Sequence, residues 1–292
     1  MALNWLKFRT FECLIEQFMN KLLYVGAIVL IAMYLCACEE KKQVGMSDMA
    51  VVDTVEVSTI KVCDIASYKA AEKDCKIEAQ VEFTYPKFFV NKDKTDELQD
   101  LYTTSVLEIL ADSMSLATAF PGYVEMLINS YKEVNGAYEG EDYEKDYEIA
   151  KTCNLQVKIA VLYNNYNLLS IGKEETVVIN DKEPRVRHLY STYNLEKMEK
   201  MSFVDLVGEE NVGDMIELLK AKLRSDVNAK NDDELVDLGF YNIDNLEAND
   251  NFYVTNDSVV WNYLPRELSV FDEVQIALSR KDIIMLTENK IR

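Results

Sequence analysis

Apolar residues recur along this chain with two periods, and the switches between them outline an alternating series of strands and helices. From Cys75 to Tyr85, Ile77, Ala79, Val81, Phe83 and Tyr85 fall on one face and Lys76, Glu78, Gln80 and Glu82 on the other. That period of two predicts a half-buried strand, ended by Pro86, and Thr54–Cys63 carries a looser version of it. Near Thr95 the spacing changes to threes and fours. Leu98, Leu101, Tyr102, Val106 and Ile109 predict a helix, with Thr95 or Asp96 near its cap. Pro121 suits the start of a second helix carrying Val124, Leu127, Ile128 and Tyr131, and Gly136 suits its end.

After an acidic, tyrosine-rich loop from Tyr138 to Tyr147, the period returns to two at Leu155, Val157, Ile159, Val161 and Tyr163. The run Asn164 to Asn167 is a turn signal. Leu168–Ile179 and Arg185 to about Tyr193 then complete three antiparallel strands. Met201–Val207 connects to a helix from Glu209 to Val227, with Val212, Met215, Ile216, Leu219 and Leu223 as its apolar stripe. Asp232–Asp250 is acidic and loop-like, with one helical turn. Phe252–Thr255 and Ser258–Leu264 flank Asn256-Asp257 as a hairpin. Val274–Leu278 is the last strand, and Ser279 caps a final helix from Lys281. Grouped strands and grouped helices make the class α+β, with antiparallel sheets and a few packed helices.

The amino-terminal segment follows neither pattern. Leu22 to Tyr34 is apolar and uncharged behind Lys21, and it leads into Leu35-Cys36-Ala37-Cys38. A leucine three residues before a cysteine and a small residue directly before it form a lipobox. The apolar run falls short of the roughly 20 residues of a membrane span and suits a signal-peptide core. The expectation is a signal peptide over residues 1–37, with Met19 as the better start. Cys38 would carry lipid on the outer side of a bacterial membrane, and residues 38–53 would form the tether.

Losing residues 1–37 would leave about 255 residues with 28 basic and 49 acidic side chains, a formal charge of −21. Such a charge repels nucleic acid and anionic lipid and favours a cationic partner. Beyond the leader stand Cys38, Cys63, Cys75 and Cys153. With Cys38 lipidated in an oxidising compartment, one pair and one free thiol are expected. Cys63 with Cys75 is the first candidate pair and Cys75 with Cys153 its rival; three reduced, buried thiols are the remaining arrangement.

Enzyme chemistry finds little to work with. His188 is the one histidine, and a lone strand histidine is most often structural. Multi-histidine zinc sites, phosphate-binding glycine loops and nucleophile elbows are missing from the sequence. Carboxylate-only hydrolysis needs two acids about 5–10 Å apart in a cleft, and sequence nominates no pair. Glu139-Gly140-Glu141-Asp142 and Asp232-Asp233-Glu234 are weak calcium candidates without EF-hand spacing. No cofactor is expected.

A family resemblance appears in the last third of the chain. Phe252-Tyr253-Val254-Thr255, the Asn256-Asp257 turn, and Val260-Trp261-Asn262-Tyr263-Leu264-Pro265-Arg266-Glu267-Leu268 resemble the signature of the DUF3298 family. Ile77–Pro86 and the helix after it resemble the DUF4163 module that precedes it, and Ser202–Val207 resembles the family's segment before a helix. The resemblance divides the mature chain into a DUF4163-like region, 54–200, and a DUF3298-like region, 201–292. Arg266 stands where the family usually has tyrosine, and Phe271-Asp272-Glu273 replaces a stretch that often holds alanine and glycine.

The resemblance implies an extracytoplasmic binding module. Relatives include the outer domain of a membrane anti-sigma factor that senses lysozyme, and the accessory region of some peptidoglycan deacetylases. The resulting expectation is a non-enzymatic envelope lipoprotein that binds a cationic lysozyme-like protein or cell-wall glycan. Its candidate surface is the corner of Tyr263, Pro265, Arg266, Glu267 and Phe271. The competing expectation is a peptidoglycan-acting enzyme or accessory using carboxylates.

Overall fold

Two hydrophobic cores form on opposite faces of one mixed sheet, as seen in a computed structural model of the 292-residue chain. The structure describes residues 55–70, 72–89, 94–109, 115–136, 150–244, 246–270 and 272–288. Residues 1–37, Cys38 and the tether lie outside them, as does the Tyr138–Tyr147 loop with Glu139–Asp142.

Strands β1 (Val55–Ala70), β2 (Lys73–Phe89), β3 (Thr152–Asn165), β4 (Leu168–Ile179), β5 (Arg185–Asn194) and β6 (Glu199–Lys200) pair in chain order. Every pairing is antiparallel except β2 with β3. Between those two the chain passes through α1 (Thr95–Leu101), a π-helical turn (Tyr102–Val106) and α2 (Leu116–Gly136). A parallel neighbour needs such a crossover. The two helices cover the first face.

The period-two strands form as the pattern demands. Ile77, Ala79, Val81 and Phe83 are fully buried against Leu98, Tyr102, Phe120 and Val124, while Lys76, Glu78 and Gln80 face solvent. Phe83 stacks on Phe120 at 4.4 Å between ring centroids. Pro86, expected to end β2, lies inside it. The ladder slips between Glu56 and Val57, and pairing with β3 has already stopped at Phe83. A proline is tolerated there because β2 then has a partner on one side only. Pro121 likewise lies inside α2, which begins five residues earlier. Lys94, not Thr95 or Asp96, is the N-cap of α1.

The β3–β4 turn is type I′, with Tyr166 and Asn167 both at positive φ (51° and 58°). Asn180 and Asp181 repeat this geometry at the next turn, where Lys182 N–H meets the Ile179 carbonyl at 3.0 Å. A bulge at Leu162 corrects another expectation. Val161 faces Ile171 but Tyr163 faces Ser170, so Tyr163 leaves the face of Leu155, Val157 and Ile159 and enters the second core. At the entrance to the sheet, the Asn164 side chain closes a strand-like pair with Val55. Its Nδ2 donates to the Val55 carbonyl at 2.6 Å, and its Oδ1 accepts the Val55 N–H at 3.1 Å.

The second core belongs to α3 (Phe203–Val207), α4 (Val212–Val227), α5 (Asp232–Asp237), β7 (Phe252–Val254), β8 (Ser258–Tyr263), β9 (Val274–Ser279) and α6 (Arg280–Glu288). The strands form an antiparallel sheet in the order β7-β8-β9. Trp261 is its fully buried centre, with Phe252 and Phe203 rings 5.9 and 6.0 Å away. Ser202 and Asp205 close a capping box on α3, a helix absent from the sequence-based expectation. Ser279 caps α6 as expected, accepting the Asp282 N–H at 3.1 Å.

The small sheet meets the large one edge-on. Val254 N–H donates to Ser170 Oγ (3.0 Å), Ser170 and Thr192 hydroxyls are 2.9 Å apart, and Thr192 donates to the Phe252 carbonyl (3.2 Å). Since Thr192 has one proton, Ser170 must donate to Thr192, which makes a closed relay from N–H to C=O. Both hydroxyl residues are fully buried.

Breaking this relay leaves a buried strand edge unsatisfied. Ser170→Ala or Thr192→Val is expected to cost about 1–3 kcal/mol in urea unfolding. Ser170→Ala/Thr192→Val together should cost clearly less than the two single effects added, because both remove the same relay.

Candidate functional site

The outer edge of β5 builds the site. Past its short pairing with β6, β5 has no paired strand on that side among the described residues, and side chains from the second core satisfy its backbone instead. His188 N–H donates to Glu273 Oε1 at 2.7 Å and Tyr190 N–H to Asn251 Oδ1 at 2.6 Å. Asn262 Nδ2 donates to the His188 carbonyl at 3.0 Å. Glu273 also holds the His188 ring, with Oε2 2.8 Å from Nδ1, and Glu174 stands 3.6 Å from Nε2. His188 is thus a clamp between sheets, in keeping with the structural role expected of a lone strand histidine.

Beside this seam lies a cleft of about 280 Å³. One wall is the end of the π-helical turn, Ser105 to Glu108. The floor is β4 and β5 through Ile171, Lys173, Ser191 and Tyr193, and the far wall is Asn249–Asn251 with Leu264 and Glu267. Lys173 is largely buried and 3.2 Å from Glu175. Burial works against its charge, but Tyr123 and Glu175 outweigh it and hold the ammonium pKa above its ordinary value. Burial pushes the Tyr193 hydroxyl up to about 12, against a smaller lowering from the neighbouring Ser191 hydroxyl. A second hollow of about 530 Å³ adjoins on the other side of Glu108, against Pro121, Gly122 and Glu125 of α2.

Glu108 sits at φ 56°, immediately after the helix, where Ile109 N–H reaches back to the Thr103 carbonyl at 3.1 Å. That is the left-handed C′ position, where glycine or asparagine is usual.

The expected corner divides. Tyr263 is buried in the second core, and burial raises its hydroxyl pKa. Pro265, Arg266 and Glu267 are exposed in a turn, with Arg266 at φ 76°. Glu267 Oε2 accepts the Leu264 N–H at 2.7 Å and is 3.2 Å from Asn249 Nδ2. Of the corner residues only Glu267 lines the cleft, together with neighbouring Leu264. Phe271 lies outside the described residues. Lys173, Ser191, Glu108 and Asn251 were absent from the sequence-based candidates. A lysine at an inward-facing strand position was the one available signal.

The cysteine pairing is corrected by register. Cys63 faces Gln80 while Cys75 faces Tyr68, five positions further along the ladder. They are about 16 Å apart along the strand, against a disulfide reach of about 7 Å. Cys63 is also exposed and Cys75 buried. Cys75 and Cys153 are both buried, but Cys153 lies opposite Ile77, two positions away. All three thiols are free.

The acidic run Asp232–Glu234 serves α5. Asp232 pairs with Arg224, and Glu234 accepts the Lys230 N–H at 2.8 Å. Among the described residues, no group of three His, Cys, Asp or Glu is placed to hold a metal ion, and no helix is long and apolar enough to cross a membrane.

No family model matches the sequence, and no curated protein is significantly similar to it. Solved structures are more informative. A member of the DUF3298 family from Bacteroides fragilis superposes with a TM-score of 0.63 at 14% identity, over 82% of this chain and 100% of that one. A DUF3298 family protein from Pseudomonas aeruginosa PAO1 gives a TM-score of 0.48 at 10% identity, over 79% and 93% of the two chains. The first match takes in the whole of the other chain, and with it the fold is placed: the chain has the architecture of a DUF3298 family protein.

Proposed function

We propose that this chain is a lipid-anchored protein of the bacterial cell envelope whose acidic domain captures a cationic, lysozyme-like protein without chemically altering it. The observation that carries the binding half of this reading is the state of the carboxylates around the cleft. Asp250 accepts the Phe203 N–H at 2.6 Å, Glu267 the Leu264 N–H and Glu273 the His188 N–H. Glu175 is shared by Lys173 and Arg187. Each of these four acids holds backbone or a cation in place, which is a poor state for a general acid or a nucleophile, and it leaves Glu108 on the cleft wall without a free second carboxylate for paired-acid hydrolysis.

The formal charge of −21 that residues 38–292 carry supports steering of a basic partner. The lipobox at Cys38 supplies the address. From Cys38 to the first described strand at Val55 runs a tether whose full reach is about 55 Å. That length allows the domain to stand clear of a membrane surface.

Two outcomes test the halves separately. In cells fed a clickable palmitate analogue, the parent chain should label and sediment with membranes, while Cys38→Ser should lose the label. A labelled Cys38→Ser chain would remove the anchor. For the partner, the detergent-solubilised full chain should bind hen egg-white lysozyme at low ionic strength and about tenfold more weakly at high salt. Absence of binding at low salt would remove the cationic protein.

A further inference from the structure

We infer that the cleft between the π-helical turn and the β5 edge is a binding site for a neutral saccharide, with Glu108 held at a backbone-disfavoured position to serve it. This goes beyond the capture of a cationic protein and does not depend on it.

The chemistry of the ligand follows from which cleft groups are already committed. The Asn249, Asn251 and Glu267 side chains are taken up by backbone and by one another. Ser105 and Lys200 have no hydrogen-bond or ion-pair partner among the described residues. The Tyr193 hydroxyl is buried in the floor beside the Ser191 hydroxyl, which lowers its pKa, and within electrostatic reach of Glu108. With Lys173 paired to Glu175, and Asp250 and Glu267 holding backbone N–H groups, the uncommitted set is the Ser105 hydroxyl, the Lys200 ammonium and the Glu108 carboxylate, one charge of each sign. A charged ligand gains from one sign and loses to the other. A neutral polyhydroxylated ligand uses both, donating to Glu108 and accepting from Lys200. Val106, Leu189 and Leu264 supply the apolar surface that the C–H face of a sugar ring requires.

Size agrees with this chemistry. About 280 Å³ is at the small end for ligand cavities and suits one sugar ring. The adjoining hollow of about 530 Å³ shares Glu108 as a wall and gives the chain of a longer saccharide somewhere to continue.

Glu108 carries the sharpest evidence. At φ 56° the backbone is in the left-handed region, which glycine, and to a lesser degree asparagine, enters at less cost than glutamate. Its exposed carboxylate makes no hydrogen bond or ion pair within the described residues, it helps hold the Lys173 ammonium charged, and Glu108 lines both hollows. Strain of this sort at a cavity wall is a mark of a working residue.

The experiment uses the detergent-solubilised full chain, with binding read by calorimetry and by saturation-transfer NMR. Chitotriose and maltotriose are the neutral probes, trigalacturonate the anionic one and alanyl-alanine the zwitterionic one. At least one neutral trimer should bind, and neither charged probe should displace it. Glu108→Gly should weaken binding about tenfold while leaving Tm at or above that of the parent. Lys200→Ala, at an exposed position, should also weaken binding with Tm unchanged. Failure of both neutral trimers to bind would overturn the inference. So would displacement by trigalacturonate or alanyl-alanine, or Glu108→Gly and Lys200→Ala chains that bind like the parent.

Discussion

One relay of three buried hydrogen bonds, from Val254 through Ser170 and Thr192 to Phe252, holds the two sheets of this protein together. β7 is an edge strand whose outer N–H and C=O groups would otherwise be buried and unpaired, at about 1–3 kcal/mol each. Ordinarily another strand would cover them. Here the face of the large sheet does so, because two short hydroxyl side chains sit directly opposite one another on β4 and β5. The hydroxyls match the spacing of a strand edge and return both groups to a satisfied state. Apolar residues at these two positions would bury surface equally well but would leave the edge without partners.

The same substitution of side chain for strand recurs at each junction. Asn164 pairs with Val55 where the sheet begins. Asn251, Asn262 and Glu273 complete the outer edge of β5. Asp250 fixes the entry to α3. This explains an asymmetry in the molecule: amides and acids near the sheet junction are structural, whereas the cleft a few ångströms away keeps uncommitted groups. Along β5, Tyr190 and His188 are sealed by the second core, and Ser191, on the opposite face, opens toward the π-helical turn. The cleft is what remains at the point where the seal stops.

Elements with a period of their own were legible in sequence. β2, β3 and β8, the stripe of α4 and the Ser279 cap all follow from spacing, because each buries one face against a core that any compact chain must form. Errors cluster where a local signal competes with pairing. Pro86 signals a stop, but the end of the β2–β3 ladder removes the penalty that would enforce one. Val161 and Tyr163 look like one face until the extra residue at Leu162 turns the strand over. The disulfide between Cys63 and Cys75 looked short in sequence, yet a hairpin places them far apart along its length and on opposite faces. The cleft was illegible for a simpler reason: its walls come from six separate segments, and only Leu264 and Glu267 belong to a recognisable signature.

The corner at Tyr263–Glu267 shows how a recognisable signature can be structural and still matter for a neighbouring site. Tyr263 and Leu268 are buried, so the aromatic and aliphatic ends of the signature anchor the turn in the second core. Between them Arg266 adopts a left-handed backbone, and its N–H reaches the Ser269 carbonyl at 2.6 Å. With both ends fixed, Glu267 folds back onto Leu264 N–H and reaches Asn249. Asn249 in turn accepts the Asn251 N–H at 3.1 Å, and Asn251 fixes the edge of β5. Tracing these bonds outward, the signature sets the far wall of the cleft without contributing a free group to it. Recognition must then come from the opposite wall, the turn from Ser105 to Glu108, where the backbone tolerates strain to hold a carboxylate in place.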